Sequence, residues 1–77
     1  MTAVLVRMHG NLRRFLPGGE ACARLTLPPG TTVQDFVASI GAQHDVWMVA
    51  INGTVAPFGT EIGDGDELDC FEPLEGG

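Results

Sequence analysis

The feature that most constrains this chain is a single short stripe of apolar residues at helical spacing. Val33, Phe36, Val37 and Ile40 stand at i, i+3, i+4 and i+7, which places them on one face of an α-helix over 33–40. Thr32 is positioned as its N-cap, and Thr32-x-x-Asp35 resembles a capping box with Asp in place of the usual Glu or Gln. Asp35 also complements the positive end of the helix dipole. Gly41 fits the left-handed position that closes a helix. A helix this short is not stable alone, so its apolar face must be covered by what the rest of the chain folds into.

The rest reads as strands. Residues 3–8 are mostly apolar and β-branched, without a breaker. Gly10-Asn11 interrupts the pattern, Leu12–Leu16 can form a helical turn, and Pro17-Gly18-Gly19 is a loop. Residues 21–27 alternate, with Cys22 and Arg24 on one side and Ala23, Leu25 and Leu27 on the other, predicting a second strand antiparallel to the first. Val46–Ile51 is an almost continuous apolar run, predicting a central strand covered on both faces. Asn52-Gly53 signals a hairpin, and Pro57 limits the return strand to a sheet edge. Ile62 is an isolated anchor, Gly63–Asp66 a tight turn, and 67–72 the last strand, stopped by Pro73. The order strand, strand, helix, strand, short strand, strand predicts an α+β fold. A mixed four- to five-stranded sheet carries the helix across one face, and the helix supplies the crossover that a parallel pairing needs.

Four arginines against ten acids give a net charge of −6, and the chain has no lysine. That balance argues against nucleic acid, which needs a cationic surface. It predicts basic docking surfaces on partners and salt-sensitive association. Seventy-seven residues allow one domain, with most apolar side chains consumed by the core. No signal-peptide pattern and no bilayer-length apolar run is visible, so a cytoplasmic protein with no membrane association is expected. Cys22 and Cys70 are expected as reduced, buried thiols.

No catalytic constellation appears: no G-x-S-x-G, no P-loop, no Cys-His pair in a nucleophile's context. No metal site is expected, because His9, Cys22, His44 and Cys70 lack close ligand spacing and Asp64, Asp66, Glu67 and Asp69 fail the EF-hand pattern. Trp47 is expected to pack, and Arg13 and Arg14 to be solvated. Phe58 is either core filler or an exposed docking aromatic. Leu68 and Cys70 share the core face of the last strand, so Phe71 should point outward as an interface anchor.

The unusual feature is the end, Leu74-Glu75-Gly76-Gly77 after Pro73. A glycine pair has wide φ/ψ freedom and no side chain. Residues 73–77 are therefore expected to be a flexible tail that threads a narrow channel and presents a carboxylate at Gly77. A carboxylate is a poor electrophile; adenylation with ATP would give it a good leaving group, and a sulfur donor could then leave a thiocarboxylate.

Taken together, these segments resemble the MoaD/ThiS family of sulfur-carrier proteins, which have the ubiquitin-like β-grasp fold. The resemblance rests on Gly10-Asn11-Leu12-Arg13 after the first strand and Pro29-Gly30-Thr31-Thr32-Val33-Gln34-Asp35-Phe36 opening the helix. It continues through Val49-Ala50-Ile51-Asn52-Gly53, Asp64-Gly65-Asp66-Glu67-Leu68 and Glu72-Pro73-Leu74-Glu75-Gly76-Gly77. The Leu12-Arg13 segment is closest to the molybdopterin-synthase small subunit. The resemblance implies a carrier that is not itself an enzyme and binds no cofactor, ATP being used by its partner. Its partners would be an E1-like adenylyltransferase, which acts on Gly77, and a sulfur-accepting enzyme such as a molybdopterin-synthase large subunit. A hydrophobic patch would dock both: Phe71 matches a patch aromatic and Val55 a patch aliphatic, while His9 falls where the family often has an aromatic. Two positions depart from the molybdopterin pattern: Glu72-Pro73 stands where Pro-Pro is usual, and Glu75 where a small residue is usual. Two other roles fit the residues, a ubiquitin-like modifier conjugated through Gly77 and a non-covalent β-grasp interaction module. Without lysine, the chain cannot build lysine-linked chains of itself.

Overall fold

The structure, a computed structural model, describes residues 1–73. Five strands form one sheet: β1 (Thr2–Met8), β2 (Cys22–Leu27), β3 (Met48–Ile51), β4 (Thr54–Ala56) and β5 (Glu67–Phe71), in the order β2-β1-β5-β3-β4. The central pair β1–β5 is parallel, from Leu5 opposite Glu67 to Met8 opposite Cys70. Every other pairing is antiparallel. The crossover between the parallel strands carries the helix α1 (Val33–Ser39). This is the α+β, ubiquitin-like β-grasp arrangement, with all five strands present.

Alternation along the strands decides what α1 covers. Val4, Val6 and Met8 of β1, Leu68 and Cys70 of β5 and Val49 of β3 are buried with Val33, Phe36 and Val37 of the helix. Helix α1 begins with the expected capping box: Asp35 N donates to Thr32 Oγ1 at 3.1 Å, and Thr32 N donates to Asp35 Oδ2 at 3.2 Å. Two further first-turn amides reach the following loop, Val33 N to Thr60 O and Gln34 N to Phe58 O. The C-terminus closes as a Schellman motif, with Gly41 at φ 77° and bonds from Ala42 N to Val37 O and Gly41 N to Ala38 O. The helix ends at Ser39, one residue earlier than the sequence reading, with Ile40 as its C-cap.

Asn52 (φ 52°) and Gly53 (φ 85°) both take the left-handed conformation of a tight hairpin joining β3 to edge strand β4. Asn52 also reaches beyond its turn: Glu67 N donates to its Oδ1 and its Nδ2 donates to Asp66 Oδ1, each at 3.0 Å. The turn acids are hydrogen-bond acceptors for backbone. Asp64 Oδ1 accepts from Ala3 N, and Asp66 Oδ2 from Gly63 N, both at 2.8 Å. These bonds fix the start of β5 beside β1.

Several expectations need correction. The 46–51 run contains a shorter strand, Met48–Ile51, and it lies between β5 and β4; β5 is the central strand. Trp47 does not pack: it precedes the strand and is 60% exposed, held through its backbone by a bond from Trp47 N to Phe71 O. Cys22 is exposed, because its phase on edge strand β2 turns it away from the core. Arg13 and Arg14 are exposed, as expected; Arg14 also makes a surface pair, with Nη2 3.1 Å from Asp45 Oδ1 and its guanidinium over the Phe15 ring. Arg13 Nε donates to Gly19 O. The Gly10–Phe15 turn is a 3₁₀ helix that buries Leu12 against the core.

Both cysteines are free thiols. Burial, with Asp69 beside it, pushes the Cys70 thiol up to about 12 from 9.0. At about pH 8, a thiol reagent should therefore modify Cys22 alone in the folded protein and both cysteines after denaturation. The unfolded chain ionises Cys70 first, so this group's contribution to stability should fall as pH rises from about 9 toward about 12. A urea-midpoint series across that window, compared with Cys70→Ala, isolates the contribution.

Candidate docking face at the root of the C-terminal segment

The sheet face opposite α1 carries the residues that the core does not use. Register sets three cross-strand rows on it. One row places Arg24, Leu5 and Glu67 side by side; the next places Cys22, Arg7, Asp69, Ala50 and Val55; the last places Phe71 beside Met48. His9 continues beyond the end of β1, where its N–H donates to Cys70 O, and its ring stacks on Phe71 with centroids 4.5 Å apart and planes within 7°.

The face divides by chemistry. Toward β4 it is apolar: Phe71 and Met48 are half-buried, Val55 is 60% exposed, and Ala50 lies buried between them. Toward β2 it is charged. Arg7 Nη2 donates to Glu67 Oε1 at 2.6 Å and its Nη1 to Asp69 Oδ2 at 3.3 Å. His9 Nε2 donates to Asp69 Oδ1 at 2.9 Å. The Glu67 hydrogen bond, reinforced by the charge of Asp69, holds the Arg7 guanidinium above its already high range. Arg7 thus stays charged and spans the two carboxylates. Asp69 in turn fixes the His9 ring in the plane that stacks on Phe71.

Among the residues named from sequence, His9 and Phe71 meet, and Val55 lies on the same face two strands away. Phe58 does not join them: it is half-buried and packs against the core. Leu74, Glu75, Gly76 and Gly77 lie outside the described residues. The sequence reading missed Met48, Ala50, Arg7 and Asp69. Alternation in 67–71 could have placed Asp69 with Phe71, but the partners on β1 and β3 depend on register, which a continuous apolar run does not reveal.

The ThiS family matches the chain over residues 6–77. The chain belongs to the ThiS family. Comparison with curated protein sequences yields no match. Solved structures similar to this ThiS-family chain include a protein described as molybdopterin converting factor, subunit 1, from Pyrococcus furiosus. It is 24% identical, with TM-score 0.77, covering 96% of this chain and 100% of that one. Small archaeal modifier protein 1 from Haloferax volcanii is 21% identical, with TM-score 0.76, covering 96% and 100%. The HVO 2177 protein of the same organism is 20% identical, with TM-score 0.80, covering 99% and 87%. At these identities the likeness carries the fold.

The ThiS-family fold brings the described chain to its end beside this face, since Glu72 and Pro73 follow directly from Phe71, the last residue of the central strand. If the apolar half is a docking surface, Phe71→Ala should weaken association with an activating partner about tenfold or more, the scale of an interface aromatic. The same variant should change the urea midpoint little, because Phe71 is outside the core cluster. A large loss of stability with unchanged affinity would assign Phe71 to folding instead.

Proposed function

We propose that this protein is a sulfur carrier whose working group is the Gly77 carboxylate. The observation that carries this reading is the ThiS-family match, which extends through the diglycine to residue 77. The outer-face patch at the root of that segment supports it. In the proposed cycle, a partner of the E1-like adenylyltransferase class docks on the face formed by Phe71, Met48, Ala50 and Val55. A Gly77 carboxylate oxygen attacks the α-phosphorus of ATP, and pyrophosphate leaves. A hydrosulfide-equivalent donor then attacks the carbonyl carbon, AMP leaves with the activated oxygen, and a proton is released. The product is a thiocarboxylate on Gly77. A second, sulfur-accepting enzyme takes the sulfur: the thiocarboxylate sulfur attacks its substrate and displaces a leaving group there, and water then cleaves the C–S bond to Gly77, returning the carboxylate; a molybdopterin-synthase large subunit is the acceptor we favour.

In this scheme the chain is not an enzyme. Its own residues dock, orient and deliver, and ATP belongs to the activating partner. Glu75 would approach the ATP phosphates, and the like charge is relieved only if a partner arginine or lysine meets it. Phe58 keeps a minor role at most, given its place against the core.

A second reading, conjugation through Gly77 to lysines of other proteins, is supported by the likeness to small archaeal modifier protein 1. It requires the same adenylate and differs in the nucleophile that resolves it. In a purely non-covalent module, partner affinity would survive removal of Gly76-Gly77 and no adenylate would form.

Intact-mass spectrometry after incubation with the cognate activating enzyme, ATP and a sulfur source tests the proposal. A gain of about 16 Da on Gly77, oxygen exchanged for sulfur, is expected. An unchanged mass beside a demonstrably active partner contradicts it. Recovery of Gly77 in isopeptides to lysines of other proteins would favour the modifier.

A further inference from the structure

Glu72 is the first residue after β5, and its side chain turns toward the Gly10-Asn11 turn beyond the end of the neighbouring strand β1. Its Oε1 accepts from Asn11 N at 3.1 Å. The carboxyl lies over the bare Cα of Gly10, where a Cβ would collide with Glu72 Oε1 and Cδ. Gly10 is in the left-handed conformation at φ 64°, so glycine suits the position twice, for its backbone and for the space it leaves. The neighbouring contacts grip the same stretch of chain from both flanks. His9 N donates to Cys70 O at 3.1 Å on the β1 side, Trp47 N donates to Phe71 O at 2.8 Å on the β3 side, and the His9 ring covers Phe71.

We infer that Glu72 is a positioning residue: its bond to Asn11 over Gly10 sets the direction in which the chain leaves the sheet. The physical reason is leverage on a short tether. The five residues from Pro73 to Gly77 reach at most about 18 Å when extended. A swivel at residue 72 would spread the Gly77 carboxylate over a wide cone, of which a partner's channel accepts a small part. Fixing residue 72 before docking removes that ordering cost from the bound state.

The kinetic part of this inference rests on the proposed role of Gly77; the structural part does not. The test uses the full 77-residue chain with Glu72→Ala and Glu72→Gln, the latter keeping an oxygen acceptor for Asn11 N–H. By NMR, Glu72→Ala should speed exchange of the Asn11 amide and lower the order parameter of the Glu72 amide, and Glu72→Gln should restore both. With the cognate E1-like adenylyltransferase and ATP, Glu72→Ala should lower kcat for carrier adenylation about tenfold, the scale of a hydrogen bond to a charged group. KM should be unchanged, because the docking face is intact, and Glu72→Gln should stay within about twofold of the unaltered protein. Equal Asn11 exchange and Glu72 order in Glu72→Ala and the unaltered chain would overturn the clip. So would unchanged kinetics, and so would a raised KM at constant kcat, which would make Glu72 a docking contact. If the unaltered chain is not adenylated at all, the sulfur-carrier reading fails, and the two NMR measurements alone decide the clip.

Discussion

The parallel pairing of β1 with β5 joins the two ends of the sequence, and the rest of the molecule is arranged around it. Parallel neighbours cannot be linked by a tight turn. The chain between them therefore first turns back as β2 beside β1, then crosses the sheet as α1 and returns through β3 and β4. The register of this pair then decides the chemistry of both faces. With Leu68 opposite Val6 and Cys70 opposite Met8, four buried residues lie under the helix. With Arg7 opposite Asp69, the outer face gains its ion-pair network. A slip of one residue would exchange the two sets, burying Arg7 and exposing Val6.

The same register brings the Gly10-Asn11 turn beside the exit of β5. The residues that follow β1 are thus the ones that hold the end of β5 and the residue after it: His9 on Cys70 and Phe71, Asn11 on Glu72. In the proposed function this is where a docking face must meet a delivery arm. In that proposal, the core takes the apolar side chains on one face, and the opposite face recognises a partner that performs the chemistry.

Much of the fold could be read from local signals. The helix was legible because stripe, capping box and Gly41 agree, and the hairpin because Asn52 and Gly53 suit two successive positive φ values. The failures have a common physical origin. Trp47 and Cys22 sit at strand ends or edges, where composition suggests burial but position removes the covering layer. The surface pairing of the exposed Arg14 is not legible locally, because Asp45, its partner, is distant in sequence. For the site, Phe71, Val55 and His9 were accessible from alternation and family resemblance. Met48 and Ala50 were hidden inside a uniformly apolar run, whose faces become distinct only through pairing with β5. The role of Glu72 was out of reach, since nothing local indicates that its carboxylate bonds an amide sixty-one residues away.

The central claim is that the reactive position lies at Gly77 while recognition lies on the folded body. ATP–pyrophosphate exchange by the cognate activating enzyme tests it most directly, using the full chain and a chain lacking Gly77, with binding of both measured in parallel. Both chains should bind with similar affinity, and only the full chain should support exchange. Exchange with the shortened chain, or none with the full chain on an enzyme that binds it, would rule out Gly77 as the reactive position.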